Sequence, residues 1–548
     1  MVASTRAADT GPEYVFADDE RPTTLGSPYL PRHTFPHRIC YLIIGLFCGV
    51  TSNLTNSLVT VNLGSLGGGL GVYAAEAAWL PAVFVAFNAT ANLTLIKARA
   101  QFGIAPISNL LLSAYALALV AELLWPGFAL TLAVRALAGL AMAGLVTLGI
   151  YNIIQAFPAA TRPIGVLIGI SVPQLGPPIA RLFPVEALAL YGWSGLHLVE
   201  LALVLTALAA TRALPVPHGD RVRTFEPLDA VTICLVVPGA LLVCGVLSVG
   251  RYVWWTDASW IRSSILAAVP LLACAFAIEH VRTRPLVQTR WIGTAEMLGF
   301  AMVAVLVRLA LAEQTYGSVG LLSLGGLIND QMHLLFVLVL GAMVAGIAVA
   351  AAITRPGRIL KVVLAASLVI ALGAWLDTKV GDLSRPRQLY ASQMLIGFGT
   401  MLFMGPSLLL GFVRALHRGA DHVITYIVLF STTQNVGGLA GAALLGSLQV
   451  VSSRENVVGI GERLTTADPL VVDRIRSYSA AAAVQGGDAA LAGQRGAAML
   501  GQAVTGRANV LAFVDVFWFV TLLALATASL IVLISVVRGS EAPSGATP

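Results

Sequence analysis

Two titratable side chains, His197 and Glu200, are three residues apart in an otherwise apolar stretch of the sequence. On a helix, residues at this spacing share one face. Burial away from water favours the protonated form of a carboxyl group, and histidine titrates near neutrality. The pair therefore has the side-chain types needed to gain and lose a proton. A polar contact packed between helices is the alternative that the residues leave open.

A permanent charge, Arg135, lies in TLAVRALAGLAMAGL (residues 131–145), which has no other charged residue. At 1.5 Å per residue, it is predicted to lie roughly 12 Å below the end of its helix. A charge inside a membrane costs a few kcal/mol unless it faces water or the protein interior. We therefore expect Arg135 to face the bundle interior. It either lines a translocation cavity, relaying protons or binding an anionic group, or is a structural arginine satisfied by neighbouring polar groups.

Four further polar residues are weaker candidates for the same pathway. Arg308 and Glu313 share one apolar stretch, but five-residue spacing is not an ideal same-face pair. Glu313 and Glu122 are predicted near the outer ends of their helices, where either could simply reach water. Asp515 lies in the last apolar stretch, where a polar contact at the helix end is the simpler interpretation.

The elements that position these residues are long apolar segments. The chain has 548 residues, of which 57% are hydrophobic and 11% charged, with a net charge of +6. Soluble globular chains carry about 25% charged residues. Each long apolar run can cross a hydrocarbon core of roughly 30 Å. We predict an all-α polytopic membrane protein with about fourteen helices, at 38–62, 74–96, 104–124, 128–155, 162–183, 189–211, 228–249, 262–280, 293–316, 329–353, 358–378, 388–413, 422–449 and 508–537.

This helix count predicts two six-helix bundles with two helices inserted between them. The predicted N-terminal bundle covers 38–212, the inserted helices with their linkers cover 213–292, and the C-terminal bundle covers 293–538. The two bundles would be structural repeats around a central site. The tails, 1–37 and 539–548, are predicted to be cytoplasmic, the first of them disordered. A long outside loop at about 450–507 is either a helical flap or disordered.

Basic residues in the loops predict the orientation. Most of them fall on the side of the N-terminus, whereas the short loops of the other side carry only Arg181, Arg251, Arg262, Lys379, Arg385 and Arg387. Positive residues concentrate on the cytoplasmic side of membrane proteins. We therefore predict cytoplasmic termini, and we expect the chain to reside in a bacterial inner membrane.

Other classes of function lack their motifs. The sequence has no HExxH or other metal-ligand spacing, and no GxxxxGK[ST] motif for a nucleotide. Membrane topology accounts for the positive net charge, so the charge does not indicate nucleic-acid binding. We expect no cofactor, no metal and no enzymatic activity; a membrane-embedded enzyme or receptor is a remote alternative.

Several segments resemble, in order, the motifs of one transporter family. These segments are LVTVNLGSLGGGLG (58–71), LTLIKARAQFG (93–103), LAVRALAGLAMAG with Arg135 and Gly139, GISVPQLGPPIA (169–180), GWSGLHLVELAL (192–203), LSVGRYVWWTDASWI (247–261), NVGGLAGAALLGSL (435–448) and VLAFVDVFW (510–518). The family's cytoplasmic loop motif corresponds to Lys97, Phe102 and Gly103, and its helix 5 motif to Gly169, Pro173, Gly176 and Pro177. The order and spacing of the segments resemble the major facilitator superfamily, in its fourteen-helix drug–proton antiporter branch (EmrB/QacA type).

This resemblance implies a secondary active transporter that exports small amphipathic or aromatic toxic compounds, driven by the proton gradient. It implies Arg135, Glu200 and His197 on the substrate or proton pathway, and a gating bend at Gly176. The partners that it implies are a small-molecule substrate, the lipid bilayer and, as in many relatives, a periplasmic adaptor protein. The alternative is an importer or symporter of an organic anion or metabolite.

The chain departs from the family pattern at charged positions. Where that branch carries an acidic residue on helix 1, this sequence has Thr55. The aspartate of the loop motif is replaced by Ala100, and the glycine pair of the helix 5 motif by Ala180 and Arg181. These changes predict a different coupling carboxylate or a different class of substrate.

Overall fold

The computed structural model describes residues 20–21, 26–283, 285–355, 357–465, 467–484 and 489–540. Within these ranges the chain is helical and has no strand. Fourteen helices are long and apolar enough to cross a membrane, which confirms the predicted fold class. We number them α1 Phe35–Val61, α2 Ala74–Phe102, α3 Ile104–Leu124, α4 Phe128–Ala156, α5 Ala159–Ala180, α6 Leu190–Ala213, α7 Pro227–Val253, α8 Ser259–Val281, α9 Ala295–Leu324, α10 Asn329–Ile353, α11 Ile359–Asp377, α12 Pro386–Leu416, α13 His422–Gly461 and α14 Leu491–Val536.

The helices pack in two sets of six. In the first set α4 packs against α1, α2 and α3, and in the second α12 packs against α10 and α11. The fourth helix of each set is therefore central to its own bundle. The two inserted helices pack on each other, and α7 also contacts α2 and α13, one helix from each bundle. The inserted pair thus lies along the line where the bundles meet.

Prolines interrupt α5. Its helix runs from Arg162 to Ser171, tightens to a 3₁₀ turn at Val172–Leu175, and resumes as α-helix at Gly176–Ala180. Proline lacks the backbone donor of a regular helix, so local rearrangement is expected there. The bend brings α5 against α1, where Asn53 Nδ2 donates to the carbonyl oxygen of Pro173 at 3.0 Å.

The first helix of the second bundle, α9, contains a wide turn. Residues Glu313–Gly317 form a π-helical turn between two α-helical parts. Such turns rotate the side chains that follow and often lie at functional sites. Within this turn Glu313 is fully buried, whereas Thr315 and Tyr316 line a cavity.

The long segment after α13 is helical where the structure describes it. The helix of α13 continues to Gly461, a separate helix follows at Pro469–Val484, and the helix of α14 begins at Ala489. Of the two alternatives for the 450–507 loop, the structure therefore has the helical one.

The tails are described only in part. Most of 1–37 and all of 541–548 lie outside the described residues. Residues 26–34 contact both the N-terminal bundle and the linker that follows it: Ser27 Oγ and Tyr151 Oη of α4 are 3.0 Å apart, and Tyr29 donates to Asp220 Oδ1 of the α6–α7 linker at 2.9 Å. That hydrogen bond to a carboxylate raises the pKa of Tyr29 above its ordinary value.

Candidate functional site

A central cavity of about 490 Å³ lies between the two bundles and α7. This volume suits a drug-sized ligand. Phe84, Tyr252, Tyr316 and Phe430 contribute aromatic surface to its wall. The wall also carries uncharged hydrogen-bonding groups from α1, α2, α5, α9 and α13, which are the amides of Asn53, Asn56, Asn88, Asn92, Gln174, Gln314, Gln434 and Asn435.

The only charged side chains among the described residues that line this cavity are three arginines, Arg181, Arg251 and Arg308. They come from the end of α5, from α7 and from α9, so each structural unit contributes one. No aspartate or glutamate lines the described wall. The cavity therefore carries a concentrated positive charge beside aromatic and amide groups.

None of the three arginines is neutralised by a carboxylate ion pair within the described part of the chain. Arg181 Nη1 donates to Asn329 Oδ1 at 2.6 Å, and its guanidinium lies 5.0 Å from the Phe336 ring. These contacts hold the guanidinium in place but leave its charge available to a ligand.

The other two arginines are also held by neutral groups. Arg308 Nε donates to the carbonyl oxygen of Gln434 at 2.9 Å, beside Gly438 of α13. The Arg251 guanidinium lies 4.5 Å from the ring of Tyr252 and 4.8 Å from that of Tyr316. A buried or half-buried cation without a counter-ion is costly, so such groups commonly mark ion or substrate pathways.

Two of these arginines were expected in short outside loops, and the structure corrects this. Arg251 lies inside α7, because that helix continues to Val253 rather than ending near 249. Arg181 follows directly on the last turn of α5 and is buried against α10. Hydropathy marks a helix end where charge appears, so it misplaces an arginine that faces a cavity from inside a helix.

Arg135 lies in the N-terminal bundle with a carboxylate partner. Its Nη2 donates to Glu200 Oε1 and to Tyr115 Oη, each at 3.0 Å. Arg135 and Glu200 are both fully buried. The expectation that Arg135 faces the bundle interior agrees with this geometry, and its partner is a carboxylate of α6.

His197 lies between two carboxyl groups. Its Nδ1 is 3.4 Å from Glu200 Oε2, and its Nε2 is 3.5 Å from Glu122 Oε1. The structure thus joins Glu122, which the sequence indicated only weakly, to the predicted trio. This contact could not be found by spacing, because Glu122 is on α3 and His197 on α6.

These four residues are not on the cavity wall. Phe84 of α2 lies between Arg135 and the cavity: its ring is 5.8 Å from the guanidinium, and the same ring lines the cavity. The cavity-lining interpretation of Arg135 is therefore wrong for this conformation. The reason is that α4 presents this turn towards α3 and α6.

A second acidic cluster lies in the C-terminal bundle. Gln393 Nε2 donates to Asp377 Oδ2 at 2.8 Å and to Glu313 Oε1 at 3.1 Å. All three side chains are essentially inaccessible to solvent. Glu313 therefore does not reach water, contrary to one of its two sequence-based interpretations. Asp377 and Gln393 were missed because they lie on α11 and α12 whereas Glu313 lies on α9, so no spacing in the sequence pairs them.

The loop motif of Lys97, Phe102 and Gly103 lies beside an ion-pair network that includes the inserted helices. Lys97 Nζ lies 2.7 Å from Asp229 Oδ2, and Arg282 Nη2 lies 2.8 Å from both Asp229 Oδ1 and Glu226 Oε2. Burial alone would lower the pKa of Arg282, but these carboxylates raise it above its ordinary value. Gly103 has φ +91°, which favours glycine at this turn, and Phe102 is exposed.

The helix 5 motif lies at a close approach of two helices. A Cβ atom at Gly176 would lie 2.9 Å from the backbone nitrogen of Leu54 on α1, and one at Gly169 would lie 3.2 Å from Ile150 Cα on α4. Pro177 lines the cavity. At the other end of the sequence, Asp515 is exposed and accepts hydrogen bonds from Ser452 and Asn456. The contact is polar, as the simpler interpretation has it, but it lies in the middle of α14 rather than at a helix end, because that helix already begins at Ala489.

Three solved structures are similar to the chain. The POT family transporter PepTSo has a TM-score of 0.56 at 14% identity, covering 93% of this chain and 99% of that one. The human organic anion transporter MFSD10 (TETRAN) has a TM-score of 0.50 at 14% identity, covering 75% of this chain and 93% of that one. The major facilitator superfamily proton:xylose symporter XylE has a TM-score of 0.47 at 12% identity, covering 76% and 96%.

The chain has the same type of fold as two of these solved transporters, PepTSo and MFSD10. At this identity the likeness concerns the fold, and the drug–proton antiporter branch stays a prediction. No family model and no curated protein matches the sequence. The fold is nevertheless the one expected from the motifs, with a central cavity between two six-helix bundles.

Proposed function

We propose that the protein is a secondary active transporter of small organic anions that have an aromatic or apolar body. The observation that carries the proposal is the charge of the cavity wall: three arginines and no carboxylate among the described lining residues. A cavity for cationic drugs would need negative charge or at least no unpaired cations, because like charges repel across a low-dielectric site. The wall therefore favours an anionic substrate.

The shape and surface of the cavity support the same class. A guanidinium binds a carboxylate, sulfonate or phosphate through paired N–H donors, and it does so more strongly than neutral donors. The aromatic rings and the amides on the same wall would contact the rest of the molecule. MFSD10, a similar structure, is an organic anion transporter by its description. This substrate class keeps the amphipathic or aromatic compound of the sequence-based prediction and adds a negative charge to it.

Coupling to protons through His197, Glu200 and Arg135 is part of the proposal. Glu122 and Glu200 carry two negative charges when ionised, and Arg135 neutralises one of them. His197 lies within 3.5 Å of both carboxylates and supplies the second positive charge when protonated. A proton on His197 would thus make this buried cluster neutral. Export, rather than uptake, is the direction that the helix 5 motif favours.

The experiment uses purified protein in liposomes loaded with one of two fluorescent probes. Fluorescein is an aromatic anion and ethidium an aromatic cation, and efflux of each is followed after imposing a pH gradient of either sign. We expect protein-dependent flux of fluorescein that depends on the gradient, and no flux of ethidium. Flux of ethidium without fluorescein would overturn the anion proposal and favour a cationic aromatic substrate. The gradient that drives efflux reports the direction.

A further inference from the structure

Among the described residues, the acidic cluster of the C-terminal bundle has no positive partner. Glu313 and Asp377 both accept hydrogen bonds from Gln393 Nε2, at 3.1 and 2.8 Å, so their oxygens lie within about 6 Å of each other. Neither carboxyl group has an ion pair in the described part of the chain. Two carboxylates this close in a site closed to bulk solvent cannot both be ionised at an acceptable cost.

One buried oxygen of this cluster is left without a partner. Asp377 Oδ1 has no hydrogen-bond partner, although the residue is only 1% exposed. As part of an ionised carboxylate, this atom would be a desolvated acceptor with nothing to satisfy it. As the site of a bound proton it becomes a hydroxyl group, which can donate. The unpartnered oxygen therefore points to a proton as the missing ligand.

A metal cation fits the cluster less well than a proton. The group between the two carboxyls is the amide nitrogen of Gln393, which donates to both of them. A cation would instead need oxygen atoms directed towards it. The donor between the two acids thus occupies the place where a cation would bind.

The two bundles differ at matching positions. Arg135 and Gln393 each lie in the second turn of the fourth helix of their bundle, α4 and α12. Glu122 and Asp377 each lie at the end of the third helix, α3 and α11. The N-terminal cluster has an arginine where the C-terminal cluster has a glutamine. Of the two clusters, the C-terminal one therefore lacks a fixed positive charge, so within the described residues protons alone can neutralise it.

Charged and titratable groups on the surrounding elements have other partners. On α9 and α7, Arg308 is bonded to the Gln434 carbonyl and Arg251 stacks on Tyr316. On α10 and after α11, His333 pairs with Asp330 and Lys379 lies over Trp375. Near α14, Arg507 pairs with Asp382, and Asp515 bonds to Ser452. Arg385, before α12, lies beside Gly325 at the end of α9.

The π-helical turn connects the cluster to the cavity. Glu313 begins the turn, and the next three residues line the cavity wall. Gln314 Nε2 also donates to the carbonyl oxygen of Gln393 at 3.2 Å. Tyr316 packs under the Arg251 guanidinium. A change of charge at Glu313 therefore acts on a turn that carries part of the substrate cavity.

We propose that Glu313, Asp377 and Gln393 form a proton-binding site in the C-terminal bundle. The two carboxyl groups hold at least one proton between them at neutral pH, and its release moves the π-helical turn that lines the cavity. The second half of this inference rests on the proposed transport function, whereas the first half concerns the cluster alone.

Infrared difference spectra of the purified protein in lipid, between neutral and alkaline pH, test the site without any substrate. A protonated buried carboxyl group has a C=O band that carboxylates lack. We expect the wild type to lose such a band at alkaline pH, and the double variant Glu313→Gln/Asp377→Asn to lack it. Asp382→Asn, which removes an exposed carboxylate, should keep the band. A band that persists in the double variant, or that disappears in Glu122→Gln alone, would overturn the proposal.

A second variant tests the same infrared band while keeping both carboxyl groups. Gln393→Lys places a positive charge where the N-terminal bundle has Arg135, so it should displace one proton from the two acids and the band should weaken or be lost. A band of unchanged intensity would contradict the proposal, as would loss of the wild-type band on adding sodium at constant pH. The spectra need no substrate, so a failed fluorescein assay would count against the transport proposal only. If fluorescein is transported, Glu313→Gln should lose accumulation driven by the pH gradient and keep exchange at equal pH.

Discussion

Arg135 Nη2 and Glu200 Oε1 are 3.0 Å apart, and both side chains are fully buried in the N-terminal bundle. The pair joins α4 to α6, two helices separated along the chain by the whole of α5. Because Tyr115 Oη accepts from the same nitrogen, the arginine also holds α3. This single guanidinium therefore ties three helices together on the side of the bundle away from the cavity.

The stability of this ion pair gives the first prediction. Arg135→Leu should lower the free energy of unfolding by about 3–5 kcal/mol, because it leaves the Glu200 carboxylate buried without its guanidinium partner. Glu200→Leu should cost a similar amount. The double variant Arg135→Leu/Glu200→Leu should cost less than the sum of the two. Equilibrium unfolding in mixed micelles measures all three, and strict additivity would contradict a direct pair.

The proton role of the same cluster gives the second prediction. Glu200→Gln keeps size and hydrogen bonding but cannot titrate, so gradient-driven fluorescein transport should collapse while exchange at equal pH persists. His197→Gln should instead displace the pH optimum of transport, since Glu122 and Glu200 remain. The pH profile of liposome flux measures both. An unchanged pH profile in both variants would contradict the proton role and leave the cluster with a structural role alone.

The close approach of α5 and α1 gives the third prediction. Gly176→Leu should abolish transport while the protein stays in the membrane, because a side chain there meets the backbone of α1 at 2.9 Å. Gly341 on α10 is the matched control, since a Cβ atom added there would have no neighbour within 4 Å and Gly341→Leu should be tolerated. Similar flux in the two variants would contradict a gating role for the bend in α5.

The sequence predicted the elements better than the contacts between them. Hydropathy indicated fourteen helices because length and apolar content are local properties, and spacing paired His197 with Glu200 on one helix face. Glu122 and Asp377 could not be placed in the same way, because their partners lie on other helices. Their clusters form only when the third, fourth and sixth, or the first, third and fourth, helices of a bundle pack together.

The cavity was the feature least accessible to sequence reasoning. Arg181 and Arg251 lie at helix ends, where arginine is ordinarily interpreted as an orientation signal. The structure places them on the cavity wall with Arg308, which α9 and α13 enclose between them. The charge of a cavity is a sum over several helices, so no single segment reveals it.

The orientation in the membrane gives the fourth prediction. In a variant without its natural cysteines, Val222→Cys should be protected from an impermeant thiol reagent in intact cells, because the α6–α7 linker is predicted to be cytoplasmic. Ser477→Cys, in the helix Pro469–Val484, should be labelled. Both positions are exposed, so access depends on the side of the membrane. The reverse pattern would contradict cytoplasmic termini.

Binding of an anion by the cavity arginines tests the central claim most directly. Fluorescence anisotropy of fluorescein with the purified protein gives an affinity for the wild type, for Arg308→Gln and for Arg181→Gln. Loss of a hydrogen bond to a charged group costs about 1.5–3 kcal/mol, which corresponds to roughly 10- to 100-fold in affinity. We predict a loss of this size for each variant and unchanged affinity for Arg387→Gln, an exposed arginine away from the cavity wall. Equal affinity in all four proteins, or tighter binding of ethidium than of fluorescein by the wild type, would contradict an anion site in this cavity.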